Sequence, residues 1–261
     1  MSRSIGDGSG VGGIRVPDAR GPMDAVVFDV VWLGPDGETR QPLTVAAGTA
    51  FEGVAPVRGF PAVRGQRHFP GFRWSASSGR HVGYESWLER DHAMLLDFDP
   101  EVAGYSSQPF WLCWHDGRRR RRHAPDFFAR LADGSGLVVD VRADNRIEVK
   151  DAEAFAATER ACGAVGWAFR RVGAVDPVFG ANVRWLAGYR HPRCYRSQVA
   201  VGLLEAFSEP RALFDGVAAV GVSLLVLPVL YHLMWLQVLV TDLGSALLGP
   251  ASVLVAAGDA R

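Results

Sequence analysis

Lysine is almost missing from this chain. Lys150 is the only one among 28 Lys and Arg residues, so nearly every cationic task falls to arginine. Cysteine is scarce as well: Cys113, Cys162 and Cys194 are odd in number and widely spaced. Their spacing excludes the paired pattern of a zinc or redox site and gives no disulfide scaffold, so a reduced, cytoplasmic compartment is expected. The stretch 1–13 lacks the apolar core of a signal peptide, and residues 1–23, rich in Gly and Ser at their start, are expected to form a flexible N-terminus. Lys and Arg are absent from 212 to 260. The net charge is zero, but that average hides the asymmetry, and apart from Arg261 the Lys and Arg charge that could meet phosphates lies upstream of Ala212. What remains is 48% hydrophobic and 21% charged, the composition of a folded globular chain. Its 261 residues suffice for one large domain or two small ones.

The chemistry concentrates between Tyr84 and Arg142. Tyr84, Trp87, Leu88 and Leu95 recur at helical spacing as an apolar stripe, and Glu85, Glu89 and His92 follow at i+4 and i+3 on a neighbouring face. Further on, Leu137, Val139 and Val141 point to one side of a strand, and Val138, Asp140 and Arg142 to the other. In the strand before it Asp126, Phe128 and Arg130 share a face. The short turn at Asp133, Gly134 and Gly136 predicts a hairpin, which brings Asp126 close to Asp140 and Arg142. With the helix packed beside it, Glu89 completes an oxygen-lined pocket. Three carboxylates without a Cys or His triad favour a hard cation, Mg²⁺ or Mn²⁺, over zinc.

Each of these residues has a plainer alternative. Glu89 can be a surface helix residue, and Asp126 after Pro125 a strand start. Asp140 in an apolar strand needs a partner, and Arg142 or Arg130 would serve in a purely structural salt bridge. Glu85 is a flanking group. Gln108 before Pro109 either touches the site or satisfies a sheet edge. His92, His115 and His123 are expected at the surface or in supporting places, and Trp111 and Trp114 in the core. Arg118, Arg119, Arg120, Arg121 and Arg122 sit on a hairpin tip, as a phosphate contact or a solvated turn.

Around this centre the chain divides into an N-terminal β-rich segment (24–80), a mixed α/β core (81–190) and a C-terminal unit (195–258). Residues 24–33 read as a strand. Arg58, Arg64, Arg67, His68, Arg73 and Arg80, interleaved with Phe60, Phe69, Phe72 and Trp74, suit a nucleic-acid surface or a solvated loop equally well. The core is expected in the order helix, three strands, helix (150–163), strand (167–173), helix (176–189), with helices on a central sheet. The stretch 191–194 breaks the pattern. Beyond it come a helix over 197–207, a second helix capped by Ser208, a third over 228–236, and strands at 238–241 and 252–256. Three helices and a terminal hairpin describe a winged-helix-like domain. The uncharged run Val217–Val240 is long enough for a membrane span, but Gly221, Pro228, His232 and Gln237 interrupt it. A buried core with no membrane is the expected reading. A winged helix that reads DNA needs Lys or Arg on its third helix or wing; this one has neither, so it is expected to bind protein through exposed apolar surface.

The helix containing SWLE, the strand with QP, then PDFF, DVR and NVRWLAGY, in this order over Tyr84–Tyr189, resemble the TnsA-type transposase endonuclease subunits, which belong to the PD-(D/E)xK, restriction-endonuclease-like superfamily. The resemblance implies a restriction-endonuclease-like α/β core with a mixed central sheet flanked by helices. It places Glu89, Asp126 and Asp140 as catalytic metal ligands, joined by the main-chain oxygen of Val141. Arg142 stands where the pattern has Lys. Arginine can supply charge but cannot act as a general base, and Lys150 is the weaker substitute. The activity implied is Mg²⁺- or Mn²⁺-dependent hydrolysis of phosphodiesters in double-stranded DNA at transposon 5′ ends. The partners implied are a TnsB-like DDE transposase and a TnsC-like ATPase. A nuclease fold kept as a DNA and partner platform, its chemistry lost, is the alternative.

Overall fold

Proline interrupts the middle of the chain twice, at Pro109 and Pro125. Lacking an N–H, proline cannot continue a ladder, and at each break the chain leaves one sheet for another. A computed structural model describes residues 27–60 and 69–258. The N-terminal residues 1–23, together with Arg64, Arg67 and His68, lie outside them.

The described residues begin with the hairpin β1 (Asp29–Gly34) and β2 (Gly37–Pro42), a short helix α1 (Leu43–Ala46), and the hairpin β3 (Gly71–Trp74) and β4 (His81–Tyr84). Helix α2 (Trp87–Phe98) follows, then β5 (Val102–Ser107), β6 (Trp111–His115), β7 (Arg120–His123), β8 (Phe127–Leu131) and β9 (Gly136–Val141). Where three strands were expected before the next helix there are five. Gln108–Pro109 separates β5 from β6, and Ala124–Pro125 separates β7 from β8. Strands β6 and β7 join β1 and β2 in a sheet of order β2-β1-β6-β7. Strands β5, β8 and β9 form a second sheet of order β10-β9-β8-β5, in which β10 (Ala168–Val172) runs parallel to β9 after the crossover helix α3 (Val149–Ala164).

The expected alternation in β9 holds. Leu137 and Val139 face one core cluster, with Ala93 and Leu96 of α2 and Phe127 and Ala129 of β8. Val138 and Phe128 face another, with Val30, Phe51, Phe110, Leu112, Trp167 and Ala157 and Ala161 of α3. Phe51, Phe110, Phe128 and Trp167 meet there mostly edge to face, with ring centroids 4.8 Å apart for Phe51–Phe110 and 4.9 Å for Phe128–Trp167, a favourable aromatic geometry. This cluster joins the two sheets.

Helix α2 differs from its expected form. Tyr84 ends a strand, Ser86 caps the helix, and Trp87 is half exposed. The buried face is Glu89, Ala93, Met94, Leu96 and Asp97. Asp97 accepts hydrogen bonds from Ser75 Oγ (2.8 Å), Ser77 Oγ (3.0 Å) and the amides of Ala76 and Ser77. It thereby pins the β3–β4 turn to α2.

After α4 (Pro177–Leu186), capped by Asp176, a short turn at Pro192–Cys194 leads to α5 (Ser197–Ala206), β11 (Arg211–Ala212), α6 (Leu213–Val220), α7 (Ser223–Trp235), β12 (Leu239–Val240) and β13 (Val253–Ala256). The second helix starts at Leu213, not at Ser208, because residues 211–212 pair with β13 as an edge strand. The third starts at Ser223 and carries Pro228 inside it. Its apolar residues Val226, Val229, Leu230, Leu233, Met234 and Trp235 are core, so the middle of this helix is not a docking face. Exposed apolar side chains gather instead at its start, at Val222, Leu224 and Leu225. The same core takes in Val183 and Leu186 of α4 and Met94 of α2. Among the described residues no helix is long and apolar enough to cross a membrane.

Candidate active site

The β8–β9 hairpin forms the floor of the site. Gly134, at φ 85°, takes the left-handed place in its turn, and the strands pair with Phe127 opposite Val139. One step beyond, Asp126 meets Asp140. The Asp126 amide donates to Asp140 Oδ1 at 3.3 Å, and the Val141 amide donates to Asp126 Oδ2 at 2.7 Å. Asp140 is buried, and its partner is neither Arg130 nor Arg142. Its two oxygens each lie 2.9 Å from Nε2 of His123, at the end of β7 in the other sheet. With Asp140 ionised, Nε2 carries the proton and donates it. Arg130 pairs with Glu52, and Arg142 with Asp151 at 3.0 Å while its Nε donates to the Arg146 carbonyl.

Glu89 reaches the same place from α2. Its amide donates to Ser86 Oγ, and its carboxylate accepts from the Ser86 hydroxyl (2.9 Å) and the Glu85 amide (2.7 Å). This is a variant of the capping box, with the carboxylate folded back over the helix start. Glu85, Glu89, Asp126, Asp140, Val141 and Arg142 line one cavity of about 740 Å³, together with Arg58, Trp111, Arg122, His123 and Arg146. Burial, then Asp140, then Glu89 hold the Asp126 carboxyl well above the usual carboxylate range. Burial raises Glu89 too, opposed by the Glu85 amide and the Ser86 hydroxyl.

Other expected members are placed differently. Gln108 is buried and reaches the cavity only through Arg58. Arg58 Nε donates to Gln108 Oε1 at 3.1 Å, while the same guanidinium pairs with Glu85 at 2.9 Å. Gln108 also sits at φ 45° and donates its amide to the Asp126 carbonyl at 3.0 Å, so it fixes the backbone of the floor. Lys150 is not brought to the cavity: it is exposed and paired with Glu148. Of the five arginines on the hairpin only Arg122 lines the cavity. Arg118, Arg119 and Arg120 are exposed at the turn, and Arg121 is held by Asp116 and Glu153. Arg121 and the amides of Arg119 and Arg118 keep the Asp116 carboxyl far below its ordinary value. Trp111, expected in the core, lines the cavity with Arg122 stacked 4.3 Å and Arg58 5.9 Å from its ring centroid. His92 lies outside the cavity, where its Nε2 meets the Gly173 carbonyl at 2.7 Å and burial lowers its pKa, so it donates as a neutral ring.

His123, expected at the surface or in a supporting place, Trp111, expected in the core, and Arg58, expected on a nucleic-acid surface or in a solvated loop, thus join the site. The Ser86-to-Glu89 capping spacing was a local signal for the fold-back of Glu89. Nothing local marked His123, because it meets Asp140 across two sheets. The oxygen donors Glu89, Asp126 and Asp140 are of the kind that suits Mg²⁺ or Mn²⁺. They do not form a ready ligand cluster: among the described residues no three His, Cys, Asp or Glu side chains stand close enough to hold a metal ion. Glu89 is drawn onto the helix start and Asp140 onto His123. An acidic floor under a guanidinium rim suits an anionic ligand that brings a cation with it. The sequence matches no protein-family model and no curated protein.

Proposed function

We propose that this cavity is the active site of a metal-dependent DNA endonuclease with a restriction-endonuclease-like core. The observation that carries the reading is Asp126 set against Asp140 across one hairpin, with Glu89 in the same cavity and each carboxylate opposing the ionisation of Asp126. A divalent cation is the partner that relieves such opposition. Glu89, Asp126, Asp140 and the main-chain oxygen of Val141 would hold it. When bound, Mg²⁺ or Mn²⁺ supplies an activated water and offsets charge on the leaving oxygen. Arg142, oriented by Asp151, stabilises charge at the phosphorus centre, and Arg58 and Arg122 take flanking phosphates.

The resemblance to TnsA-type subunits extends this reading to a heteromeric transposase. This chain would cut double-stranded DNA at transposon 5′ ends beside a TnsB-like DDE transposase and a TnsC-like ATPase. The C-terminal order α5-β11-α6-α7-β12-β13, with its three-stranded sheet, supports a winged-helix-like unit. With no Lys or Arg from 212 to 260, that unit binds protein. A second reading, a DNA- and protein-binding subunit that no longer cuts, is favoured by the unassembled ligand set and by the engagement of Arg142 with Asp151.

Cleavage of supercoiled plasmid in Mg²⁺ or Mn²⁺, with the neighbouring transposase subunit added, separates the two. Cutting by the parent protein that Asp126→Ala abolishes supports the endonuclease. DNA binding without cutting, even with the partner, replaces it with the binding subunit.

A further inference from the structure

We propose that the exposed aromatic pair Phe69–Trp87 is a stacking platform for an unpaired DNA base, so that the site takes DNA whose strands are parted beside the phosphate it acts on. The inference rests on the nuclease reading and names its substrate more closely. Phe69 is 57% and Trp87 50% exposed, and both line the carboxylate cavity. Their ring centroids lie 5.5 Å apart with planes inclined by 32°, a tilted contact. Large rings are ordinarily covered. Two that pack on each other and remain half exposed at the edge of this cavity offer ring surface to a ligand.

The platform is close to the chemistry. Trp87 is the first residue of α2, next to the capping Ser86 and two positions before Glu89. Arg90 lies 4.1 Å from its ring centroid and is itself held by Asp91 at 2.7 Å.

The other tryptophan of the cavity carries two guanidinium groups where Trp87 carries one. Trp111 carries the guanidinium groups of Arg122 and Arg58, whose remaining N–H groups suit phosphate oxygens. One part of the wall therefore offers cations for a backbone and another offers rings for a base. Together these are the two elements of single-strand recognition. A base inside an intact duplex is stacked between its neighbours and cannot reach such a platform unless it is unpaired.

The test is fluorescence anisotropy in Ca²⁺ with the full chain and two labelled DNAs, checked on gels to remain uncut. One is a fully paired duplex; the other is the same duplex with a short central mismatch bubble. The parent protein is expected to bind the bubble more tightly by roughly fivefold to a hundredfold. Phe69→Ala and Trp87→Ala should bind both probes alike at the paired-duplex level, and Trp87→Phe should keep the preference. Equal binding of both probes by the parent, or a preference that survives both alanine variants, overturns the platform and leaves the nuclease reading standing. Binding of neither probe overturns the nucleic-acid reading and the platform with it.

Discussion

His123 and Asp140 meet across the boundary between two sheets, with Nε2 2.9 Å from each carboxylate oxygen. The pair satisfies a carboxylate that is 1% exposed and lies in an otherwise apolar strand. Removing the imidazole leaves that carboxyl with only the Asp126 amide as a hydrogen-bond donor. His123→Ala is expected to cost about 1–3 kcal/mol, read from denaturant midpoints, and His123→Gln, which keeps a donor, should cost less. A change within experimental error in the alanine variant would mean that the pair does not hold the sheets.

The pH dependence of stability follows from Asp126. Its folded-state carboxyl holds a proton more tightly than the unfolded chain does, because of burial and its carboxylate neighbours. Between the unfolded and folded values the native state carries more protons, so stability falls as pH rises through that window, and the loss is complete above it. Asp126→Asn removes the penalty. The variant should melt above the parent at neutral pH, by about 2–4 °C for each kcal/mol. It should lose that advantage near about pH 3, where the parent carboxyl is protonated in both states.

Divalent cations should act in the same direction. Mg²⁺ or Mn²⁺ at about 100 times its dissociation constant is expected to stabilise the parent by about 2.7 kcal/mol, seen as a rise in melting temperature. Asp126→Asn should show little of it. A rise of equal size in both proteins would place the cation elsewhere.

Arg142 and Lys150 can be told apart by cleavage assay. Arg142 lines the cavity, whereas Lys150 is exposed and paired with Glu148. Arg142→Ala should lower plasmid cutting by roughly a hundredfold, and Lys150→Ala should leave it unchanged. The reverse pattern would make Lys150 the cationic residue of the site.

Burial pushes the Cys162 thiol up to about 12. At neutral pH it should resist thiol reagents in the native protein and react on unfolding, measurable as one extra labelled cysteine in denaturant. Reaction in the native state would show that the face of α3 carrying it is not packed against the core.

The acidic hairpin was legible in the sequence because its signals are local. Strand alternation and a Gly-containing turn suffice to set Asp126 against Asp140. Helix α3, β10 and α4 were legible for the same reason. Tyr84 misled because its spacing to Leu88 fits a helix, while Ser86, the capping residue, fixes the start after it. The two proline breaks were visible, but not that each one moves the chain to another sheet. That transfer carries Trp111, Arg122 and His123 to the rim. It depends on the pairing of β6 with β1, between residues some eighty positions apart (Asp29 opposite Cys113), which no window along the chain contains.

The aromatic cluster of Phe51, Phe110, Phe128 and Trp167 gains a second meaning from this division. The carboxylates Asp126 and Asp140 belong to one sheet, and His123, Arg122 and Trp111 to the other. The four rings lie in the core that joins the sheets, so their packing bears on how the two walls of the cavity face each other. A change of ring size there would shift one wall of the cavity against the other without touching any residue that faces it.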